Sequence, residues 1–126
     1  MVIEVKLKGY EALLAYIDKL GVQDENINVY FTGSKDEKGV SWCPDCNEAE
    51  PSVRKALDKA PENSHFIYVD VGDRAFWKDP KNPFRTDKNI HISVIPSFIR
   101  WKNPQRLEGV DQLSKEDLLE MFLTDD

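Results

Sequence analysis

The chain contains two cysteines, and both lie in one short segment, Trp42-Cys43-Pro44-Asp45-Cys46. A helical pattern follows this segment, which places the two thiols at the beginning of a helix. Thiols three positions apart at a helix start can close a disulfide with little movement of the backbone. The helix dipole and the free backbone N–H groups at this end also favour a thiolate on the first cysteine. The spacing is therefore typical of a site that exchanges dithiol and disulfide.

The order of the two cysteines predicts different roles for them. Cys43 comes first and should lie nearer to solvent, so we expect it to be the nucleophile that attacks a substrate sulfur. Cys46, one helical turn deeper, would then attack Cys43 and release the reduced substrate. Trp42 and Pro44 would shield the pair and shape the approach to it. Asp45 either tunes the reduction potential or selects partners, or it is a solvated charge of the loop.

Two other uses of the cysteines remain open at this stage. They could be small buried residues without a redox partner, although a tryptophan before the pair and a proline within it are unusual in a core helix. They could also join His65 and His91, the two histidines of the chain, in a zinc site. The histidines lack the short spacing of a zinc finger, so we predict no metal.

Length and charge narrow the possible partners. The 126 residues suit a single domain, 1–126, and a net charge of −6 argues against nucleic acid or an anionic membrane as the main partner. The first residues alternate apolar and charged side chains, unlike an export signal, and no segment approaches the roughly 20 apolar residues of a membrane span. The expected location is therefore the cytoplasm, where closely spaced cysteines are more often catalytic or metal-binding than structural. No large apolar surface run favours a dimer, so we expect a monomer.

Apolar patterns predict five β-strands, at residues 2–7, 27–32, 66–71, 96–101 and 106–110. The third is nearly continuous apolar sequence, as in a central strand covered on both faces. Helical periodicity predicts helices at 10–20 and 43–60, a short helix at 74–78, and a last helix after a capping box formed by Ser114 and Asp117. This alternating order implies an α/β fold with a central mixed sheet flanked by helices on both faces.

The same patterns predict which positions are buried and where the chain turns. Gly21 should end the first helix, Asn103-Pro104 should turn, and Pro51 should kink the helix at 43–60. Residues 33–41 are predicted to form a loop, and residues 79–89, with two prolines among charges, an excursion outside the core. The expected buried positions of the two later helices are Ala49, Val53, Ala56, Leu57 and Ala60, and then Leu118, Leu119 and Phe122.

Four features at these positions resemble the thioredoxin fold. The segment Trp42-Cys43-Pro44-Asp45-Cys46 follows a strand, Pro51 lies in the next helix, Ile95-Pro96 precedes the penultimate strand, and Gly109 follows the last strand. The resemblance implies that Pro96 is a cis-proline facing the cysteines, which keeps metal from the thiols. It also implies that the Ile95 backbone is free to pair with an extended substrate. The alternative is a trans proline that opens an edge strand.

A closer resemblance runs through four segments. Residues 31–36 (Phe-Thr-Gly-Ser-Lys-Asp), 41–46 (Ser-Trp-Cys-Pro-Asp-Cys), 49–51 (Ala-Glu-Pro) and 77–80 (Trp-Lys-Asp-Pro) are similar to the cytosolic thioredoxin-related proteins of about 14 kDa, the thioredoxin domain-containing protein 17 family. This resemblance implies a disulfide reductase that binds no cofactor and is recharged by NADPH through thioredoxin reductase. It further implies a preference for small disulfides such as cystine, or for selected protein disulfides.

One position departs from the thioredoxin pattern. Thioredoxins bury an acid beneath the cysteines as a proton acceptor for the second thiol, and Tyr30 stands at the matching position here. A tyrosine is a poor base at neutral pH. Proton removal from Cys46 would then use water or another carboxylate, such as Asp45 or Glu48. Glu50 is assigned no chemistry beyond its favourable place near the helix N-terminus.

A function of a different class shares the same fold. The chain could be a redox-gated interaction module, in which the cysteines latch onto a protein partner with little turnover. A reductase and such a module differ in what happens to the mixed disulfide. In a reductase, Cys46→Ser should trap it through Cys43, whereas binding by an adapter should survive Cys43→Ser.

Overall fold

The computed structural model describes residues 3–20, 27–62, 64–102 and 105–124. Three sequence predictions fall outside these ranges: the first residue of the first strand, the helix stop at Gly21 and the turn at Asn103-Pro104. Within the described residues, no helix is both long and apolar enough to cross a membrane.

Five strands form one mixed sheet in the order β1-β3-β2-β4-β5. Strands β1, β3 and β2 run parallel to one another, while β4 is antiparallel to β2 and β5 is antiparallel to β4. The predicted mixed sheet is therefore confirmed, with strand bounds that differ from the predicted ones by at most a few residues. The strands are β1 (Ile3–Lys8), β2 (Ile27–Thr32), β3 (His65–Asp70), β4 (Ser97–Arg100) and β5 (Arg106–Glu108).

Strand β2 separates two apolar cores because its side chains alternate between the two faces of the sheet. Val29 and Phe31 belong to a core that also holds Cys43 and Cys46, which we call the cysteine-side core. Tyr30 belongs to the core on the other face, which we call the tyrosine-side core. Every residue of β2 is buried, as expected for an interior strand rich in β-branched and aromatic side chains.

The described ranges contain six helices, and both cores include helical residues. Leu13 of α1 lies in the cysteine-side core, and Ala49 of α2 and Leu119 of α6 lie in the tyrosine-side core. The prediction of helices on both faces is confirmed. The helices are α1 (Tyr10–Leu20), α2 (Pro44–Leu57), α3 (Arg74–Lys78), α4 (Pro83–Thr86), α5 (Val110–Leu113) and α6 (Glu116–Thr124).

Helix α2 is shorter at both ends than predicted. Cys43 is its N-cap and Pro44 occupies the first helical turn, where a proline loses no hydrogen bond. The helix ends at Leu57, so Ala60 lies in the following turn and is only half-buried. Pro51 lies inside the helix, as predicted. The other four positions of the predicted stripe are buried.

The prediction that residues 79–89 stay outside the core is wrong. Helix α4 forms within them, and Phe84 is completely buried, with its ring centroid 5.7 Å from that of Phe31. The local reason is Asn82, whose Oδ1 accepts hydrogen bonds from the Phe84 and Arg85 N–H groups and caps the helix. Pro83 follows at the first helical position, so here proline begins a helix instead of excluding one.

The capping box at Ser114 and Asp117 is also wrong. Ser114 ends the unpredicted helix α5, and its N–H bonds the carbonyl of Val110. Among the described residues its Oγ has no hydrogen-bond partner. Helix α6 begins at Glu116, and its buried face is Leu119, Phe122 and Leu123, while Leu118 is half-exposed. Two helices thus replace the one that the sequence predicts.

Candidate active site

The two cysteines form a disulfide at the start of α2. Their Cα atoms lie 5.2 Å apart. The N–H of Cys46 points at Cys43 Sγ at 3.2 Å, in the position of an N-cap hydrogen bond. A backbone N–H aimed at this sulfur, together with the helix dipole, favours negative charge on it once the disulfide is reduced. The local geometry therefore supports the predicted nucleophile.

The two sulfurs differ in their surroundings. Cys46 is 1% exposed and sits within the cysteine-side core. Cys43 is 5% exposed and lines a surface cavity of about 540 Å³, which we call the Cys43 cavity. Other residues that line this cavity are Trp42, Pro44, Asp45, Val94 and Ile95. A reagent that enters the cavity therefore meets Cys43.

Ile95, the residue before Pro96, lies beside Cys43. The peptide bond between Ile95 and Pro96 is cis, as the resemblance implied. Cys43 Sγ lies 3.9 Å from the carbonyl oxygen of Ile95. The carbonyl of Pro96 accepts a hydrogen bond from the N–H of Gly109 at 2.8 Å, which fixes the turn against the end of β5. The structure thus brings together residues that are 52 positions apart in the chain.

Trp42 is held in place by two glycines. Its indole Nε1–H donates to the carbonyl oxygen of Gly72 at 2.9 Å. On the other side, a Cβ atom at Gly33 would lie 2.8 Å from Trp42 Cε2, so only glycine allows the ring to approach this closely. Trp42 lines the cavity together with Cys43, and the shielding role predicted for it stays a prediction.

A pair of residues that the sequence analysis missed fixes the turn before Cys43. The backbone N–H of Ser41 donates to Asn47 Oδ1 at 2.9 Å, and Asn47 Nδ2 donates to the Ser41 carbonyl at 2.8 Å. The Ser41 hydroxyl donates to the Gly33 carbonyl and accepts a bond from the Cys43 N–H. We call these paired hydrogen bonds the Ser41–Asn47 clamp. In the sequence, the only indication of it is the amide side chain of Asn47, directly after Cys46.

Six residues that line the Cys43 cavity were not predicted as site residues: Arg74, Trp77, Lys78, Arg85, Ser93 and Val94. Trp77 is buried. The guanidinium of Arg85 lies 4.1 Å from its ring centroid, and Arg85 Nε–H donates to its carbonyl oxygen. Pro44 and Asp45, which were predicted, are exposed on the cavity rim. The cavity wall therefore comes largely from α3, α4 and the residue before the cis-proline.

Tyr30 lies in the tyrosine-side core, and burial raises its pKa far above that of an ordinary tyrosine. The phenolate form of Tyr30 is therefore even less available as a proton acceptor at neutral pH than that of an ordinary tyrosine. Its ring centroid is 5.5 Å from that of Tyr68, whose hydroxyl donates to Glu50 Oε1 at 2.7 Å. Glu50 Oε2 also forms an ion pair of 2.6 Å with Lys35.

These partners make Glu50 a stable carboxylate. Burial on its own raises the pKa of Glu50, but the hydrogen bonds from Lys35 and Tyr68 outweigh it, so its pKa lies below the ordinary value. Glu50 is one helical turn after Cys46 on α2. Asp45 and Glu48, the two acids suggested from the sequence, are both exposed.

Among the residues that the structure describes, no three or more His, Cys, Asp or Glu side chains are grouped as metal ligands would be. His65 begins β3 and is buried, whereas His91 is exposed and lies before the cis-proline turn.

A family model for the thioredoxin domain of thioredoxin domain-containing protein 17-like proteins matches residues 6–125. The chain belongs to this family. It is 44% identical to thioredoxin domain-containing protein 17 of Danio rerio, over 98% of this chain and 96% of that protein. The corresponding protein of Homo sapiens is 40% identical, with the same coverage.

The family's thioredoxin domain agrees with the sheet order and with the cysteine pair at the start of α2. A more distant relative, the thioredoxin-like protein Clot of Arabidopsis thaliana, is 36% identical over 60% of this chain and 57% of its own length. Membership confirms the thioredoxin fold that the sequence resembled, and it is consistent with a redox centre at Cys43 and Cys46.

Proposed function

We propose that the chain is a disulfide reductase that acts through the Cys43 and Cys46 dithiol. The observation that carries this proposal is the asymmetry of the pair. Cys43 caps α2, lines a surface cavity and has the Cys46 N–H on its sulfur, while Cys46 is buried behind it. This is the arrangement that nucleophilic attack by one thiol and resolution by the other requires.

The proposed reaction consists of two exchanges. The Cys43 thiolate attacks one sulfur of the substrate and breaks the substrate S–S bond. One half of the substrate leaves as a thiolate, and the other half stays bound to Cys43 in a mixed disulfide. The Cys46 thiolate then attacks Cys43 Sγ, which releases the second substrate thiolate and closes the Cys43–Cys46 disulfide. The substrate gains two electrons and two protons, and the cysteine pair loses them.

Turnover requires that the pair be reduced again. Following the family resemblance, we propose that NADPH supplies the two electrons through thioredoxin reductase and that the chain itself holds no cofactor. We also propose the cytoplasm as its location, because reduced dithiols persist there. A monomer remains the expected state.

The site's shape supports small or selected disulfides as substrates. The Cys43 cavity, at about 540 Å³, is within the range of roughly 300–1,000 Å³ typical of small-molecule sites. The loop before α2 is tied to the helix by the Lys35–Glu50 ion pair and by the Ser41–Asn47 clamp. The loop leads into Trp42, which lines the cavity, and a fixed wall at this position favours compact substrates such as cystine over large folded proteins.

The deciding experiment measures NADPH consumption with thioredoxin reductase, this chain and cystine. Cys43→Ser should abolish turnover, and Cys46→Ser should accumulate a mixed disulfide through Cys43 that mass spectrometry can detect. Absence of turnover with cystine and other small disulfides, while both thiols remain reactive, would contradict the proposal. It would favour the redox-gated interaction module.

A further inference from the structure

Three cations line the same cavity as Cys43. Arg74 and Lys78 come from α3 and Arg85 comes from α4, and Asp45 is the one carboxylate on the cavity wall. This local excess of positive charge contrasts with the net charge of −6 for the whole chain. Charge of one sign concentrated around a concave site attracts ligands of the opposite sign.

Arg85 is held in a fixed position. Its Nε–H donates to the Trp77 carbonyl at 2.9 Å, and Nη1 lies 3.5 Å from the carbonyl oxygen of Ser93. The guanidinium carbon also lies 4.1 Å from the Trp77 ring centroid, within cation–π range. These contacts are all with neutral groups, and within the described part of the chain no carboxylate pairs with Arg85.

Arg74 and Lys78 are available for a ligand. Both are exposed, and among the described residues neither side chain has a hydrogen-bond or ion-pair partner. The carboxylates of the two acids that flank them, Asp73 and Asp79, accept hydrogen bonds from backbone N–H groups. Asp73 accepts the Phe76 N–H as the cap of α3, and Asp79 accepts the Lys81 N–H.

Apart from Asp45 and Ser93, the remaining residues that line the cavity are apolar or aromatic. Trp42, Trp77, Val94 and Ile95 line it together with the cations. A ligand with methylene groups between a sulfur and an anionic group could therefore pack its carbon atoms against these side chains. Its anionic end would lie among the cations while its sulfur faces Cys43.

We propose that the Cys43 cavity contains a subsite for a carboxylate, and that it selects small disulfides that have a carboxylate a few bonds from the sulfur. The inference rests on the proposed reductase function and adds the chemical class of its substrate. The exchange chemistry is unchanged: the Cys43 thiolate displaces one substrate thiolate, and the cations hold the carboxylate of the half that stays bound.

Three disulfides of matched length test the subsite. In 3,3′-dithiodipropionate, bis(2-hydroxyethyl) disulfide and cystamine, two carbons separate the sulfur from an anionic, neutral or cationic group. Each kcat/KM is divided by the rate at which dithiothreitol reduces the same disulfide, which corrects for the stability of the leaving thiolate. We expect the corrected value for the anionic disulfide to exceed that for the cationic one by about tenfold or more, and the ratio to fall with added salt.

A pair of charge variants locates the effect in the cavity. Arg74→Gln/Lys78→Gln should lower the ratio of the corrected kcat/KM for the anionic disulfide to that for the neutral one by about three- to tenfold. The expected effect is modest because the two removed cations are exposed, and exposed ion pairs are weak. Lys19→Gln/Lys115→Gln removes the same charge from two exposed positions outside the cavity and should leave the ratio unchanged. Circular dichroism should show that both double variants are folded.

The outcomes separate this inference from the proposed function. If the wild-type chain reduces neither cystine nor any of the three disulfides, the reductase proposal fails, and the subsite falls with it. If it reduces cystine but none of the three, the reductase stands and the subsite is overturned. If it reduces all three at equal corrected rates, the reductase stands and the subsite is overturned. The subsite is also overturned if the cavity variant lowers all rates equally, or if the control variant changes the ratio as much.

Discussion

Trp42 packs so closely on the backbone of Gly33 that a Cβ atom there would lie 2.8 Å from its Cε2 atom. The contact joins the loop after β2 to the residue that precedes Cys43. Since Trp42 also bonds the carbonyl of Gly72, its ring connects the carboxyl ends of β2 and β3 with the start of α2.

Gly33→Ala should therefore displace the indole and destabilise the fold by about 1–3 kcal/mol, as other overpacking substitutions do. The cost should be smaller in a Trp42→Phe background, because indole atoms make two of the three close contacts with the added Cβ, while the contact with Ser41 Oγ at 3.0 Å remains. Urea unfolding of the two single variants and the double variant measures this coupling. An equal cost of Gly33→Ala in both backgrounds would contradict the contact.

Asn47→Ala should loosen the turn before Cys43. Both hydrogen bonds between Asn47 and Ser41 are lost, and the partly buried Ser41 backbone groups lose their partners, which should cost about 1–3 kcal/mol. Asn47→Asp is the matched control, because it keeps the acceptor for the Ser41 N–H and loses only the donor. We expect its unfolding free energy to lie between those of the wild type and the alanine variant. Equal stability of all three proteins would show that the clamp contributes nothing.

Glu50 should make stability depend on pH in the acidic range. Because its pKa is lower in the folded state, its contribution is fully present above the ordinary pKa of a glutamate and is lost as pH falls through the folded value. The difference in unfolding free energy between wild type and Glu50→Gln should thus shrink from about pH 6 to about pH 3. Glu48→Gln, at an exposed position on the same helix, is the control. A Glu50→Gln difference that does not vary with pH would contradict the network with Lys35 and Tyr68.

Phe84→Ala tests whether the segment around α4 belongs to the core. Phe84 is fully buried against Phe31 and Tyr10, so the substitution should cost about 3–5 kcal/mol. Phe76→Ala, at a ring that is 44% exposed, should cost considerably less. The comparison is made by denaturant unfolding, and similar costs for the two would mean that α4 does not anchor this side of the molecule.

The helices, the strands and the cysteine pair could be predicted from the sequence because each depends mainly on the residues of one short segment. The spacing of Cys43 and Cys46 and the buried run of β2 need no knowledge of distant residues. The excursion around Phe84 was mispredicted because its prolines suggested a loop, whereas Asn82 and Pro83 together begin a helix. Ser114 was misassigned because a capping-box pattern cannot reveal that another helix ends there.

The parts of the site that the sequence analysis missed depend on contacts between segments that are far apart in the chain. Glu50 and Tyr68 are on different elements, and only the fold brings the hydroxyl to the carboxylate. The cations of the Cys43 cavity come from two short helices whose placement beside Cys43 follows from the burial of Trp77 and Phe84. Nothing in their own sequence positions identifies them as neighbours of a thiol.

The burial of Cys46 behind Cys43 has a consequence for how adducts are cleared. Under the proposed reductase chemistry, mixed adducts would form at Cys43, the sulfur that lines the cavity, with the proposed resolving thiol beside it. We would then expect the chain to expel a partner bound through Cys43 by itself, with no second molecule needed to free it. The lifetime of such a covalent complex would depend on how fast the inner thiol attacks, more than on the concentration of competing thiols around the protein.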